Sequence, residues 1–454
     1  MIRKGTGLLP GIVLVFSITV SAQTIDYHFD GSISREVLEN YLSRAITFSE
    51  ILPDNADTDI PSRGSSFAEH LRFIQNTRAK FIGRAIFRWS NPQNLPKILA
   101  AATPRIKQLH AQDPDIIVQA AIFECVKGEI NQVAIPAWVF KEFNLPVEIR
   151  NFSYDRIVYT EGWGKDLFGP SSSVPDMSRI ETKMMFFFLA VSYINIGVEA
   201  IHFGQVELMD ENDKNLDHWW DILSRIRAYA KINARRHLVL CDAHVVNHGL
   251  LHNGALLLDF HAFPLRIKEV AGKPIEGMLE VGYTDALYGK SKGGLTPSGW
   301  TCTSLPYLVE FDNWGTTDAP GKPSAWPWIW GYDEISWWAT IGEKARNDWL
   351  YYAWDWLKKN DVNGFLEMPG GRQAFGHKDQ WYWAHTASAA TPKGGNQEDA
   401  IKAIWGPDGS TSISPMTIMT KALAPSRPLL ISADGLKTKP GKRSTESWIL
   451  PAER

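Results

Sequence analysis

Cysteine is scarce. Cys125, Cys241 and Cys302 are the only three in 454 residues, so a disulfide framework is excluded, one bridge is the maximum, and none is expected. Charge of a single sign is also missing. Lys and Arg number 47 against 50 Asp and Glu, a net charge of -3. That leaves no basic excess to grip nucleic acid or an anionic membrane. Past the N-terminal segment no apolar run is long enough to cross a bilayer. No glycine-rich phosphate loop follows an early strand, which argues against an open dinucleotide-binding sheet. No internal repeat or low-complexity block stands out.

Tryptophan, by contrast, is abundant. There are 19, many clustered late in the chain in "AWPWIWGY", "ISWWAT", "YYAWDWL" and "QWYWAH". An indole offers a broad flat face with one polar edge, suited to filling a large core or to stacking on a ring-shaped ligand. The N-terminus reads "MIRKGTGLLPGIVLVFSITVSAQ": Arg3 and Lys4, an apolar run over Leu8 to Val20, then Val20-Ser21-Ala22. This is the layout of a signal peptide over residues 1–22, with cleavage after Ala22 and export as the expected fate. Residues 421–454 are polar and Pro/Lys-rich and read as a surface tail, leaving 23–420 as one domain.

Within that domain strands alternate with helices. Expected strands are Ala45 to Phe48, Ala79 to Trp89, Asp115 to Val126, the segment after Gly197, His237 to Val245, Ala255 to Phe263, Tyr307 to Gly315 and Phe365 to Gly371. Several are near-continuous apolar runs, as parallel strands covered by helices on the outside are. About eight such units in this length predict an α/β fold of the (β/α)8 barrel type. It should be irregular around its fifth and sixth strands, because "VVNHGLLHNG" is too short for a helical crossover and His252-Asn253-Gly254 looks like a hairpin turn. Ser178 and Glu181 are spaced as a capping box for the helix that follows.

The strand ends carry the chemistry. Residues two apart on a strand share a face, which pairs Arg84 with Arg88, Gln205 with Glu207, Asp242 with His244, Asp259 with His261, and Glu310 with Asp312. Glu124 and Glu367 add single acids, and Asn313 and Trp314 follow Asp312. All are expected toward the C-terminal ends of their strands, where barrel enzymes keep their catalytic groups. A ring of carboxylates in an apolar interior is costly unless it is wet, paired or bound to something. The segment "EAIHFGQVELMDEND" (199–213) shows the pattern most densely.

Several carboxylates beneath a tryptophan-rich rim suit glycoside hydrolysis, which needs an acid and a second carboxylate. The chain resembles secreted bacterial (β/α)8 glycoside hydrolases, of the clan whose acid/base ends strand four and whose nucleophile ends strand seven. That resemblance implies Glu207 in "GQVE" as acid/base and Glu310 in "YLVEFDNWG" as nucleophile or base. The usual Asn-Glu pair of strand four is absent, since Val206 precedes Glu207, and Asp312 and Glu124 remain rival second carboxylates. Arg84, Arg88, Glu124, Gln205, Asp242, His244, Asp259, His261, Asp312, Asn313, Trp314, Glu367 and Trp381 are the expected substrate-binding residues. The expected partner is a poly- or oligosaccharide, with no cofactor and no metal. Competing readings are a non-catalytic carbohydrate-binding barrel and a metal-dependent hydrolase or lyase built on the His/Asp pairs. The first strand, "AITFSE", lacks the paired histidines of a metal-dependent amidohydrolase barrel. Glu310 as a salt-bridge partner of Arg84 or Arg88 is the plain alternative at that position, and His202 reads as a core histidine.

Overall fold

In the computed structural model, residues 25–53, 63–87, 89, 92–324, 328–374 and 381–406 are described. The expected signal peptide (1–22) and tail (421–454) lie outside them, as does Arg88. The fold is mixed α/β around one curled ten-stranded sheet. Its strands in chain order are β1 (Ala45–Phe48), β2 (Phe81–Phe87), β3 (Ile117–Ala121), β4 (Ala200–Gln205), β5 (Leu240–His244), β6 (His261–Pro264), β7 (Tyr307–Glu310), β8 (Gly364–Leu366), β9 (Met368–Gln373) and β10 (Trp381–Trp383). Their order across the sheet is β8-β7-β6-β5-β4-β3-β2-β1-β9-β10. All neighbours are parallel except β9 and β10. β8 and β9 are one stretch of chain interrupted at Glu367, so that stretch pairs with β7 at one end of the order and with β1 at the other.

Helices alternate with these strands: α1 (Arg35–Leu42), α2 (Phe67–Thr77), α3 (Leu95–Gln112), α4 (Ile180–Ile194), α5 (Asp217–Asn233), α6 (Glu334–Thr340), α7 (Glu343–Asn360) and α8 (Glu398–Trp405). Trp219, Ile222, Leu223 and Ile226 form the buried stripe of α5, as the 3.6-residue spacing requires. Of the late tryptophans, Trp337 and Trp338 on α6 are sealed in the core, and Trp354 and Trp356 on α7 pack partly against it. Among the described residues no helix is long and apolar enough to cross a membrane.

One expectation is corrected here. The capping box is not formed: Ser178 Oγ bonds Asp176 at 2.6 Å, the N-cap is Arg179 without a side-chain cap, and Glu181 turns to Arg150 and the Ser153 amide. The late helices α6 and α7 are separated by a break at Ile341 and Gly342. The irregularity between β5 and β6 is present as a hairpin, Leu251–His252 against Ala255–Leu256. Its turn residues Asn253 and Gly254 have φ of 51° and 82°, the left-handed pair that a tight two-residue hairpin needs.

The sheet has a distinct floor. Phe29, Ile33, Val37, Leu38, Tyr41 and Leu42 of the N-terminal segment and α1 pack against the entry residues Ala45, Phe81, Ile117, Ala200, Leu240 and Leu308. Glu199, fully buried just ahead of β4, locks this floor. It accepts from Arg236 at 2.7 Å and from Arg235 at 2.5 Å, and Arg236 lies 3.8 Å over the Phe29 ring. Removing one partner of a buried ion pair strands the other, at a cost of about 3 kcal/mol. Glu199→Gln is therefore expected to lower the unfolding free energy by about that amount in denaturant titration. A change within experimental error would contradict this role.

Candidate active site

Charged side chains that belong to different strands meet inside the curl. Arg84 on β2 has a φ of 54° in the middle of its strand, a conformation that costs a non-glycine residue about 1–3 kcal/mol and tends to mark functional sites. The β2–β3 ladder slips its register there, between Ile82 and Ile86. The Arg84 amide donates to Gln119 Oε1 at 2.9 Å. Its guanidinium Nη2 meets His202 Nε2 at 3.2 Å, His244 Nε2 at 3.0 Å and Glu310 Oε1. His202 Nδ1 stands 2.7 Å from Asp242 Oδ2, and Gln119 Nε2 donates to Asp242 Oδ1 at 2.7 Å. His244 Nε2 lies 2.7 Å from Glu310. Arg372 on β9 closes on Glu310 Oε2 and reaches Asp312 and Asn313 at 3.1 Å each.

Electrostatics divides these acids. Burial alone would raise the proton affinity of Glu310, but Arg372 and Arg84, with the His244 bond, overcome it and hold the carboxyl well below the usual range. Glu367, between β8 and β9, is moved the other way. Burial and the neighbouring Glu310 charge push it up to about 7. Among the described residues its Oε1 has no hydrogen-bond partner, and it faces Gly83, where a Cβ would overlap it. Burial also raises Asp242 and lowers His202, leaving the imidazole neutral. Among the described residues no three His, Cys, Asp or Glu side chains are grouped to hold a metal ion.

The strand-four acids sit nearer the surface. Glu207 lies in a short 3-10 turn after β4 and accepts from the exposed Asn247 amide, both oxygens at 3.1 Å. Burial raises its proton affinity, against the opposing Asn247 bonds. Asp210 is pushed up to about 6 by burial, with Glu207 adding to the rise. The remaining acids of the 199–213 segment are structural: Asp213 caps α5 by accepting from the His218 and Trp219 amides, and Glu211 pairs with Lys214. Glu124 is buried and accepts from the Gln205 amide and side chain at 3.0 Å each.

The other expected residues divide. Asp259 and His261 are not at the end of their strand, because β6 spans His261–Pro264. Asp259 precedes it and is held by Arg227 and the Cys241 amide at 2.8 and 2.9 Å, while His261 bonds Ser291 at 3.0 Å. The apolar run "ALLLDF" is mainly a descending connection, so periodicity moved the strand too far upstream. Glu367 directly follows β8 at the level of Glu310, buried at the break before β9. Trp314 is partly exposed with its ring 5.0 Å from Trp328. Trp381 is covered on one face by the Arg63 guanidinium at 4.2 Å. Sequence reasoning missed Arg372, Gln119 and the inward role of His202. The Gly370-Gly371 pair before Arg372 was the available signal: side chains at those positions would collide with Ile46, Phe48 and Trp383, so the chain there lies against its neighbours.

No family model and no curated protein matches the sequence. Structural neighbours are glycoside hydrolases. The glycoside hydrolase domain of PelA from Pseudomonas aeruginosa is 11% identical with a TM-score of 0.29, over 66% of this chain and 90% of that one. Endo-glycoceramidase II from Rhodococcus sp. is 11% identical with a TM-score of 0.39, over 79% and 77%. The cyclic alpha-maltosyl-(1-->6)-maltose hydrolase from Arthrobacter globiformis is 11% identical with a TM-score of 0.43, over 80% and 82%. At such similarity, what the site can do follows from its own side chains.

Glu367 gives the site a pH signature. Its proton affinity rises from 4.5 to about 7 on folding, so the folded state binds that proton more tightly than the unfolded one. Its stabilising contribution is complete below pH 4.5 and is lost as pH rises through about 7. Glu367→Gln should flatten the fall in unfolding free energy between those pH values by about 3 kcal/mol relative to wild type. Matching slopes for variant and wild type would refute this.

Proposed function

We propose that this chain is an exported glycoside hydrolase acting on a poly- or oligosaccharide, built on a (β/α)8 barrel. In this reading the interrupted β8–β9 stretch is the eighth strand and joins the seventh to the first. One observation carries the functional reading. Glu207, raised, and Glu310, held ionised, both anchor at the end of β5, through the Asn247 amide and His244. Those anchor points are three residues apart, at most about 11 Å of chain. Two carboxyls pushed in opposite directions over one span are what glycoside cleavage requires. Glu207 protonates the glycosidic oxygen as the bond breaks. Glu310 attacks the anomeric carbon, or takes a proton from the attacking water, as the oxocarbenium-like charge develops. Trp314 and Trp328 supply a partly exposed aromatic edge for a sugar face.

Glu310 is only 1% exposed, so in this reading Arg372 must turn aside as the sugar enters. The same sealing favours a second reading, a carbohydrate-binding barrel without turnover. A glycan panel with purified protein separates them. Glu207→Gln and Glu310→Gln are each expected to cut kcat/KM on the cleaved glycan by about 100-fold or more. Wild-type turnover in either variant removes that residue from the mechanism, and binding without cleavage by the wild type selects the second reading. Export is tested by mass spectrometry of the secreted protein, which is expected to begin at Gln23; retention of residues 1–22 would contradict it.

A further inference from the structure

The hydrogen bonds around Arg84 close into a ring, and every proton in it can be assigned. A backbone amide only donates, so Gln119 must present Oε1 to Arg84 N and therefore Nε2 to Asp242. A guanidinium only donates, so His202 Nε2 must accept from Arg84 Nη2, leaving Nδ1–H to donate to Asp242. Both Asp242 oxygens then accept, and the ring is complete only with that carboxylate ionised. Burial opposes this charge, and the Gln119 and His202 donors answer it. The second Nη2 proton is directed at Glu310 Oε1, and His244 Nε2 lies beside both groups, 3.0 Å from Nη2 and 2.7 Å from that oxygen. Both ends of Arg84, its strained backbone and its charged tip, are thus held by one circuit drawn from β2, β3, β4 and β5.

We propose that Gln119, Asp242 and His202 are positioning residues that lock Arg84 onto Glu310, so that Arg84 keeps this carboxylate ionised. The role rests on the reading of Glu310 as the catalytic carboxylate. The charged and titratable groups around Glu310 are Arg84 from β2, His202 from β4, His244 and Asp242 from β5, Arg372 from β9 and Glu367 from the break between β8 and β9. Among these, the ring controls Arg84. Asp242→Asn cannot be accommodated by flipping an amide. Turning its NH₂ toward His202 or toward Gln119 places two donors face to face at some point of the circuit.

The test compares Asp242→Asn, His202→Phe and His202→Gln with wild type. His202→Gln retains an N–H for Asp242 and an oxygen for Arg84, whereas His202→Phe keeps bulk alone. Two quantities are measured against pH: the unfolding midpoint, and kcat/KM on the glycan that the wild type cleaves. Stability from an ionised Glu310 is lost as pH falls, and a weakened Arg84 contact makes that loss begin at higher pH. In Asp242→Asn and His202→Phe the acid limb of both profiles is expected to move up by about one pH unit, with His202→Gln staying at the wild-type position. If Asp242→Asn does not fold, Gln119→Leu opens the same ring from β3 with the same expected shift. Unmoved limbs in Asp242→Asn and His202→Phe, or an equal shift in His202→Gln, would overturn the proposal. A shifted unfolding limb without turnover of any glycan would support the positioning role and retire the hydrolase reading.

Discussion

Two arginines share one carboxylate inside the sheet, and much of the architecture follows from accommodating them. Arg84, Arg372 and Glu310 are each almost sealed from solvent, where an unpaired charge would cost several kcal/mol. β7 and β2 are separated by four intervening strands in the order of the sheet, so their side chains can touch only across the interior of a curled sheet. The Arg84–Glu310 contact therefore couples charge neutralisation to curvature. A flatter sheet would leave all three ions exposed to an apolar environment without partners.

That constraint explains how closely spaced acids differ. Glu310 and Glu367 lie at neighbouring positions, since Val309 pairs with Leu366. Two carboxylates so placed cannot both ionise cheaply. The arginines are committed to Glu310, so Glu367 holds its proton up to about pH 7, and Gly83 leaves the space it occupies. Asp242 is buried as deeply; burial raises its proton affinity, and Arg84 and the Gln119 donor oppose that rise. Partners and not depth alone set how readily each acid ionises.

Strand positions were largely legible because a parallel strand buried on both faces leaves a run of apolar residues that survives translation into sequence. β1 matches its expected span to the residue, and β5 and β7 lie inside theirs. What sequence could not supply was direction at irregular points. Arg84 sits where left-handed backbone and a register slip break the alternation that paired it with Arg88. Glu207 was paired with Gln205 by a rule that ends with the strand, whereas Glu207 occupies a 3-10 turn, and His202 was read as a core histidine. Arg372 was missed because its partner is nonlocal: nothing within "GGRQ" encodes an acid 62 positions upstream.

The missing helix between β5 and β6 has a consequence at the rim. A normal crossover would run from His244 through a helix before returning to the next parallel strand. Here the chain instead drops from an exposed Val246-Asn247 corner into the Leu251–Leu256 hairpin. The Asn247 amide at that corner donates to Glu207. An exposed backbone donor lowers a neighbouring carboxyl's proton affinity less than a buried cation would. Glu207 is thus held in place with its proton affinity still raised, while Glu310, held by two guanidinium groups, stays well below the usual range. With a hairpin in place of a helix, the two acids are anchored at and just beyond the end of β5, with proton affinities shifted in opposite directions.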